Sequence, residues 1–181
     1  MSSFDRLDPA LQHHIVNSLG WRNLRSLQEE VIGPLLDGED ALLLAPTASG
    51  KTEAAFFPIL SRMLAEDWRG LFLLYVCSIK ALLNNLEPRF AMLASLVGRR
   101  VALWHGDIGA GAKFAVAREP PDVLLTTPES LEAILVSKRF DRAAIFAGVR
   151  AVVVDELHAF AGDSRGWHLL AVLSRIERLF G

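Results

Sequence analysis

Short, unbroken apolar runs alternate along this chain with longer segments in which apolar positions recur every three or four residues. Five short runs have the length of strands: Ala41 to Leu44, Leu71 to Cys77, Val101 to Trp104, Val123 to Thr126 and Ala151 to Val154. Their continuous apolar character is that of strands covered on both faces, the condition of a parallel sheet flanked by helices. Lys51 to Ala65, Lys80 to Leu96, Pro128 to Val136 and Gly166 to Phe180 carry helical spacing, so the order predicts βαβ units and an α/β fold. An N-terminal helical region, Pro9 to Leu36, is interrupted at Leu19-Gly20-Trp21 and closed by the turn sequence Asp37-Gly38-Glu39-Asp40. Gly106 to Gly111 reads as a glycine-rich loop entering a short helix.

Composition narrows this picture. With 181 residues, 51% of them apolar, the chain is long enough for one domain with a substantial core. Its longest apolar runs fall far short of the roughly 18 residues that cross a bilayer, so no membrane insertion is expected. Met1-Ser2-Ser3-Phe4-Asp5-Arg6 lacks a basic flank followed by an apolar stretch, which argues against a secretory signal. The single cysteine, Cys77, forbids an intrachain disulfide and fits a reducing, cytoplasmic setting. It and the five histidines have no metal-ligand spacing, so no zinc site is expected. A net charge of −2 announces no bulk basic field for nucleic acid. Backbone N–H groups and helix N-termini can nevertheless hold phosphates without appearing in a charge count.

The chemistry begins where the first apolar run ends. Ala45-Pro46-Thr47-Ala48-Ser49-Gly50-Lys51-Thr52 reads as strand, phosphate loop and helix start. Converging N–H donors from such a loop, backed by the positive end of a helix macrodipole, suit a nucleoside triphosphate. Gly50 permits close approach, Lys51 is placed to reach the β- and γ-phosphates, and the Thr52 hydroxyl is placed to ligate Mg²⁺. Ala45 stands where the usual motif has its first glycine. A second half-site follows in Val152-Val153-Val154-Asp155-Glu156-Leu157-His158, a buried strand ending in two carboxylates. Asp155 can hold Mg²⁺ directly or through water, and Glu156 is the candidate for polarising the attacking water.

Together the phosphate loop and the D-E-x-H box resemble the superfamily 2 DEAD/DEAH-box helicases, and further segments agree. Trp21 and Leu24-Arg25-Ser26-Leu27-Gln28 are similar to the Q motif, in which an aromatic residue and a Gln contact adenine; a Gln amide can pair with the adenine edge. Ser78-Ile79-Lys80-Ala81-Leu82-Leu83-Asn84-Asn85 is similar to motif Ia, and Thr126-Thr127-Pro128-Glu129-Ser130 to motif Ib, both at strand-to-helix junctions suited to a nucleic-acid backbone. His105-Gly106-Asp107 and Arg165-Gly166 resemble the Lhr (large helicase-related) type, which translocates 3′ to 5′ on DNA. Two departures are Ala48, where many members have Gly, and Leu157, where Ile or Val is usual.

The resemblance implies a RecA-like ATP-binding motor domain over 41–181, preceded by a helical region over 1–40 and truncated before motif III. It implies ATP and Mg²⁺ as cofactors. ATP contacts are expected from Gln28, Pro46, Thr47, Ala48, Ser49, Gly50, Lys51 and Thr52, and Mg²⁺ contacts from Thr52 and Asp155. Lys51, Asp155, Glu156 and His158 take catalytic roles, His158 coupling the nucleotide site to a second RecA-like domain. Lys80, Thr126, Thr127 and Arg165 are expected to contact single-stranded nucleic acid, DNA above RNA. Trp104 reads as core, while Trp21, Lys80 and His105 fit structural roles as well as functional ones. A nucleotide- or nucleic-acid-binding fragment without turnover is the alternative, and a small P-loop kinase ranks last because it gives no reason for Gln28, motif Ia and motif Ib together. The family's sheet puts the motif III strand between the strand entering the phosphate loop and the strand ending in the acidic box. Ala41 to Leu44 and Ala151 to Val154 are therefore expected either to flank a gap or to close up and pair, with the phosphate loop displaced.

Overall fold

The computed structural model describes residues 2–46, 49–162 and 164–180, and the chain divides into two compact units, Met1–Trp68 and Arg69–Gly181. The sequence boundary at residue 40 grouped the phosphate loop with the sheet. In the structure the helix that opens at Lys51 packs in one compact unit with the N-terminal helices.

The first unit holds α1 (Pro9–Asn17), α2 (Ser26–Leu36) and α3 (Lys51–Ala65). Asp8 caps α1 by accepting from the Ala10 N–H at 2.9 Å, and Pro9 fills the first helical position, where a missing N–H costs nothing. The Asp8 N–H in turn donates to Ser61 Oγ at 2.7 Å, which ties the start of α1 to α3. Leu11, Ile15, Val31 and Ile32 are buried, as are Phe56, Phe57, Leu60 and Met63 along α3. Trp21, half-buried, stacks edge-on against Phe57 with ring centres 5.6 Å apart.

One expected strand does not form. Residues 41–44 carry no ladder, and Leu42 and Leu44 are 65% and 81% exposed. The expectation of direct pairing with Ala151 to Val154 is corrected: the segment forms no strand. An apolar run has no strand to be without a partner, and solvated N–H and C=O groups avoid the penalty of buried unpaired ones.

The second unit is built on a four-stranded parallel sheet in the order β2 (Val101–Trp104), β3 (Val123–Thr126), β1 (Leu73–Val76), β4 (Ala151–Val154). Each strand matches a predicted one, β1 two residues shorter at its start and one at its end. β1 and β3 are central and wholly buried. β2 and β4 are edges and only partly covered, against the expectation of burial on both faces. Among the described residues five α-helices and a 3₁₀ turn at Leu157–Ala159 complete the unit: α4 (Lys80–Ser95), α5 (Ala110–Arg118), α6 (Pro128–Val136), α7 (Arg142–Phe146) and α8 (Ser164–Phe180). α7 has no counterpart in the sequence reading.

One core joins Leu74, Val76 and Leu124 of the sheet to Leu131 and Ile134 of α6, Phe146 of α7 and Leu169, Val172 and Ile176 of α8. Trp104 belongs to it and stacks edge-on against Phe140. Tyr75, which alternates with Leu74 and Val76 along β1, packs instead on Phe90 of α4. Arg175 of α8 reaches both carboxylate oxygens of Glu132 on α6, at 2.6 and 2.7 Å. At the amino-terminal end of the strands Asp122 accepts from the Arg100 N–H at 2.8 Å and pairs with Arg99 at 3.2 Å, tying together the entries to the parallel neighbours β2 and β3.

Candidate nucleotide and nucleic-acid sites

The phosphate loop is held from two directions. Gly50 has φ +86°, a conformation that favours glycine, and a Cβ there would lie 2.6 Å from Gln28 Nε2, so the Gln28 amide would have to move. The Gly50 carbonyl accepts from the Ala54 N–H at 2.9 Å, opening α3, and from Gln28 Nε2 at 3.3 Å. Gln28 is buried, and its Oε1 accepts from the Arg25 N–H at 3.0 Å. Each polar atom of the Gln28 amide thus keeps one unused hydrogen-bonding position. The Lys51 ammonium donates to the carbonyls of Ala45 at 2.6 Å and Pro46 at 2.9 Å. No side chain caps α3, so its first N–H groups keep the disposition of an anion site, with the half-buried Thr52 in the first turn. Thr47 and Ala48 lie outside the described residues.

The carboxylates sit at the carboxyl end of β4. Asp155 continues the ladder, its N–H donating to the Val76 carbonyl at 2.9 Å. Its Oδ1 accepts from the Glu156 N–H at 2.9 Å and its Oδ2 from the Tyr75 hydroxyl at 2.7 Å. Glu156 has φ +51° and ψ +47°, a left-handed conformation that an ordinary side chain adopts at a cost and that recurs at functional sites. His158, 80% exposed, turns Nδ1 to within 3.2 Å of Glu156 Oε2. Burial pushes the neighbouring Cys77 thiol up from its ordinary value, with the charges of Asp155 and Glu156 acting in the same direction.

The junctions after β1, β2 and β3 contain the expected nucleic-acid residues in three different states. Lys80, exposed at the start of α4, pairs with Asp107 at 2.8 Å, and the Lys80 hydrogen bond holds Asp107 below the usual carboxylate range. His105 is buried; its Nε2 meets Asn84 Oδ1 at 2.9 Å and its Nδ1 accepts from the Asp107 N–H at 3.3 Å. Those partners assign the proton to Nε2, and burial lowers the imidazole below its ordinary value. Arg165 is exposed and donates to the Ser78 carbonyl at 3.2 Å. The next residue admits only glycine, because a Cβ on Gly166 would come 2.3 Å from the Phe160 carbonyl oxygen.

Thr126 and Thr127 are different. Both are buried. Thr126 Oγ1 donates to the Trp104 carbonyl at 2.8 Å, and Thr127 Oγ1 caps α6 by accepting from the Ser130 N–H at 3.3 Å. Their hydroxyls are thus engaged inside the protein, where they hold the shape of the junction. Tyr75 is the site residue that the sequence reading missed. The signal was the chain's single tyrosine, a polar atom inside an otherwise apolar strand.

A phosphate loop opening a helix and an acidic pair ending a parallel strand define a P-loop, RecA-like α/β protein. Residues 25–180 match the DEAD/DEAH box helicase family, and the chain belongs to it. It is 38% identical over 162 residues to the Lhr helicase/uracil glycosylase of Escherichia coli (strain K12), a match covering 78% of this chain and 10% of that protein. With the ATP-dependent helicase Lhr-Core of Methanothermobacter thermautotrophicus it shares 36% identity over 160 residues, covering 80% and 18%. Among solved structures, the Mycobacterium smegmatis helicase Lhr bound to ssDNA and AMP-PNP superposes with a TM-score of 0.84 at 31% identity, over 99% of this chain and 24% of that one. The chain therefore spans less than a quarter of each of these relatives. No described helix is long and apolar enough to cross a membrane.

Proposed function

We propose that these residues form the ATP-binding motor domain of a DNA helicase or translocase of the Lhr type, working in a reducing, cytoplasmic setting. The observation that carries the reading is the combination of a helix-opening phosphate loop with the strand-ending Asp155-Glu156-Leu157-His158 box in one family-matched chain. In this reading Lys51 and the N–H groups opening α3 bind the phosphates, and Gln28 joins adenine recognition to the loop through the Gly50 carbonyl. Thr52 and Asp155 hold Mg²⁺. The donor set fits the ion, since both are hard oxygen ligands and Mg²⁺ takes few protein ligands while keeping waters. Mg²⁺, when bound, neutralises charge developing on the transferring phosphoryl group. Glu156 accepts a proton from the attacking water, and His158, paired to Glu156, links that event to a second RecA-like domain.

Single-stranded DNA is the proposed polymer. The Mycobacterium smegmatis relative was solved with ssDNA, and Lys80 and Arg165 stand exposed beside strand-to-helix junctions of this chain. Hydrolysis by these 181 residues alone is expected to be slow, because a trans arginine from a second domain contributes about 10³ to 10⁵ in rate. The test pairs nucleotide titration with phosphate release. Lys51→Ala should lose Mg-ATP binding, whereas Glu156→Gln should keep it and lose residual turnover. Robust hydrolysis by the unmodified chain would contradict the need for a second domain; binding with no turnover in any assembly would favour a binding module instead.

A further inference from the structure

We propose that Tyr75 is a positioning residue for the Asp155 carboxylate, fixing which oxygen lone pairs remain for a divalent cation. The proposal rests on the reading of Asp155 as a metal-binding residue and concerns what holds it in place. Tyr75 lies on β1, the strand paired on both sides, and is 2% exposed. Its register partner on β4 is Val153, two residues before Asp155. Side chains two apart on a strand share a face, so the phenol reaches diagonally along the sheet to the carboxylate. The Tyr75 ring already packs edge-on against Phe90 at 4.9 Å. Phenylalanine would fill that place equally well, so packing gives no reason for the hydroxyl.

The hydroxyl has a partner that makes chemical sense. A phenol O–H buried without an acceptor is costly, whereas one donated to an ionised carboxylate forms a short, charge-assisted bond. At 2.7 Å the Tyr75–Asp155 contact is of that kind. It engages Oδ2 while the Glu156 N–H, presented by a left-handed backbone, engages Oδ1. Two donors bearing on different oxygens fix the rotation of the carboxylate plane, and each oxygen retains an unused lone pair. That matters for Mg²⁺, which demands near-ideal octahedral geometry at about 2.0–2.1 Å and tolerates little ligand wandering. Partners of this sort typically change metal affinity by about 10- to 100-fold when removed.

The experiment uses the whole chain carrying Tyr75→Phe. Mn²⁺ binding is followed by electron paramagnetic resonance in the presence of a non-hydrolysable ATP analogue, and analogue binding is measured separately in EDTA. Cation affinity is expected to fall about 10- to 100-fold while analogue affinity in EDTA is unchanged, a split that lost packing alone would not produce. Because the chain has one tyrosine, growth on meta-fluorotyrosine labels Tyr75 alone and supplies a readout without substitution. Its fluorine resonance should shift when Mg²⁺ and the analogue are added together, and not in Asp155→Asn. Unchanged or tighter cation binding in Tyr75→Phe, with Asp155→Asn abolishing it, overturns the positioning role and leaves the Asp155 reading intact. Unchanged cation binding in Asp155→Asn overturns both.

Discussion

Gly50 combines a backbone angle that L residues avoid with a neighbour that leaves no room for a methyl group. In Gly50→Ala the new Cβ meets Gln28 Nε2, and the loop must shift or Gln28 must release the Gly50 carbonyl. Strain of this type costs on the order of 1–3 kcal/mol, and urea unfolding of the variant should report a loss in that range together with weaker nucleotide binding. His105 gives a prediction of a different sort. Burial lowers its folded-state value below the ordinary 6.5, so the unfolded chain takes up this proton first as pH falls. Its contribution to stability is therefore full above about 6.5 and is lost as pH drops toward the lower folded value. Asp37 and Asp107, held below 3.8 by their Arg6 and Lys80 partners, act only at more acid pH. Thermal unfolding should fall as pH is lowered from 7 to about 5, and His105→Gln should flatten that slope; an equal slope in the variant would assign the effect elsewhere. Much of this was legible in the residues themselves: Gly50 and Lys51 declared a phosphate loop. Tyr75 and Asn84 could not be given their partners, because the Tyr75 bond depends on strand register and the Asn84 bond on how α4 packs beside the loop after β2, neither of which sequence spacing encodes.

At the scale of elements, the loops that open helices differ in how their orphan N–H groups are satisfied. Thr127 caps α6 with its own hydroxyl, whereas α3 and α4 have no side-chain cap at all. Thr127→Ala should therefore destabilise the unit by about 0.5–2 kcal/mol, read by chemical denaturation, and weaken DNA binding only as far as the junction loosens. Lys80→Ala, by contrast, should leave stability nearly unchanged, since its exposed pair with Asp107 is worth little, and should weaken single-strand binding with a shallower salt dependence. Fluorescence anisotropy with a labelled oligothymidylate across a salt series separates the two; unchanged binding in Lys80→Ala moves the contact to another junction. Element boundaries were largely legible because Gly, Pro and the Thr cap punctuate continuous apolar runs at their ends. Two readings failed for a common reason. Apolar character predicted full burial for β2 and β4 and a strand for Ala41 to Leu44, yet burial depends on which neighbours are present, a property of the sheet and not of the run.

At the scale of the molecule, the second unit ends its sheet on β4, where Val152 is 42% exposed, while the first unit leaves Leu42 and Leu44 in solvent. An exposed apolar edge strand and an exposed apolar run are both liabilities in an isolated domain. In a chain extended to the length of its Lhr-type relatives, residues 41–44 are expected to become a strand wherever Leu42 and Leu44 are covered. Burying Leu42 and Leu44 would add roughly 1.5–3 kcal/mol for each, a large gain against a typical net stability of about 5–15 kcal/mol. Hydrogen exchange followed by mass spectrometry reads this directly. In the 181-residue chain, peptides covering 41–44 should exchange at the rate of unstructured backbone; in the extended protein they should be protected, as should the β4 amide groups. Equal protection of 41–44 in both chains would show that the segment stays unpaired in the longer protein as well.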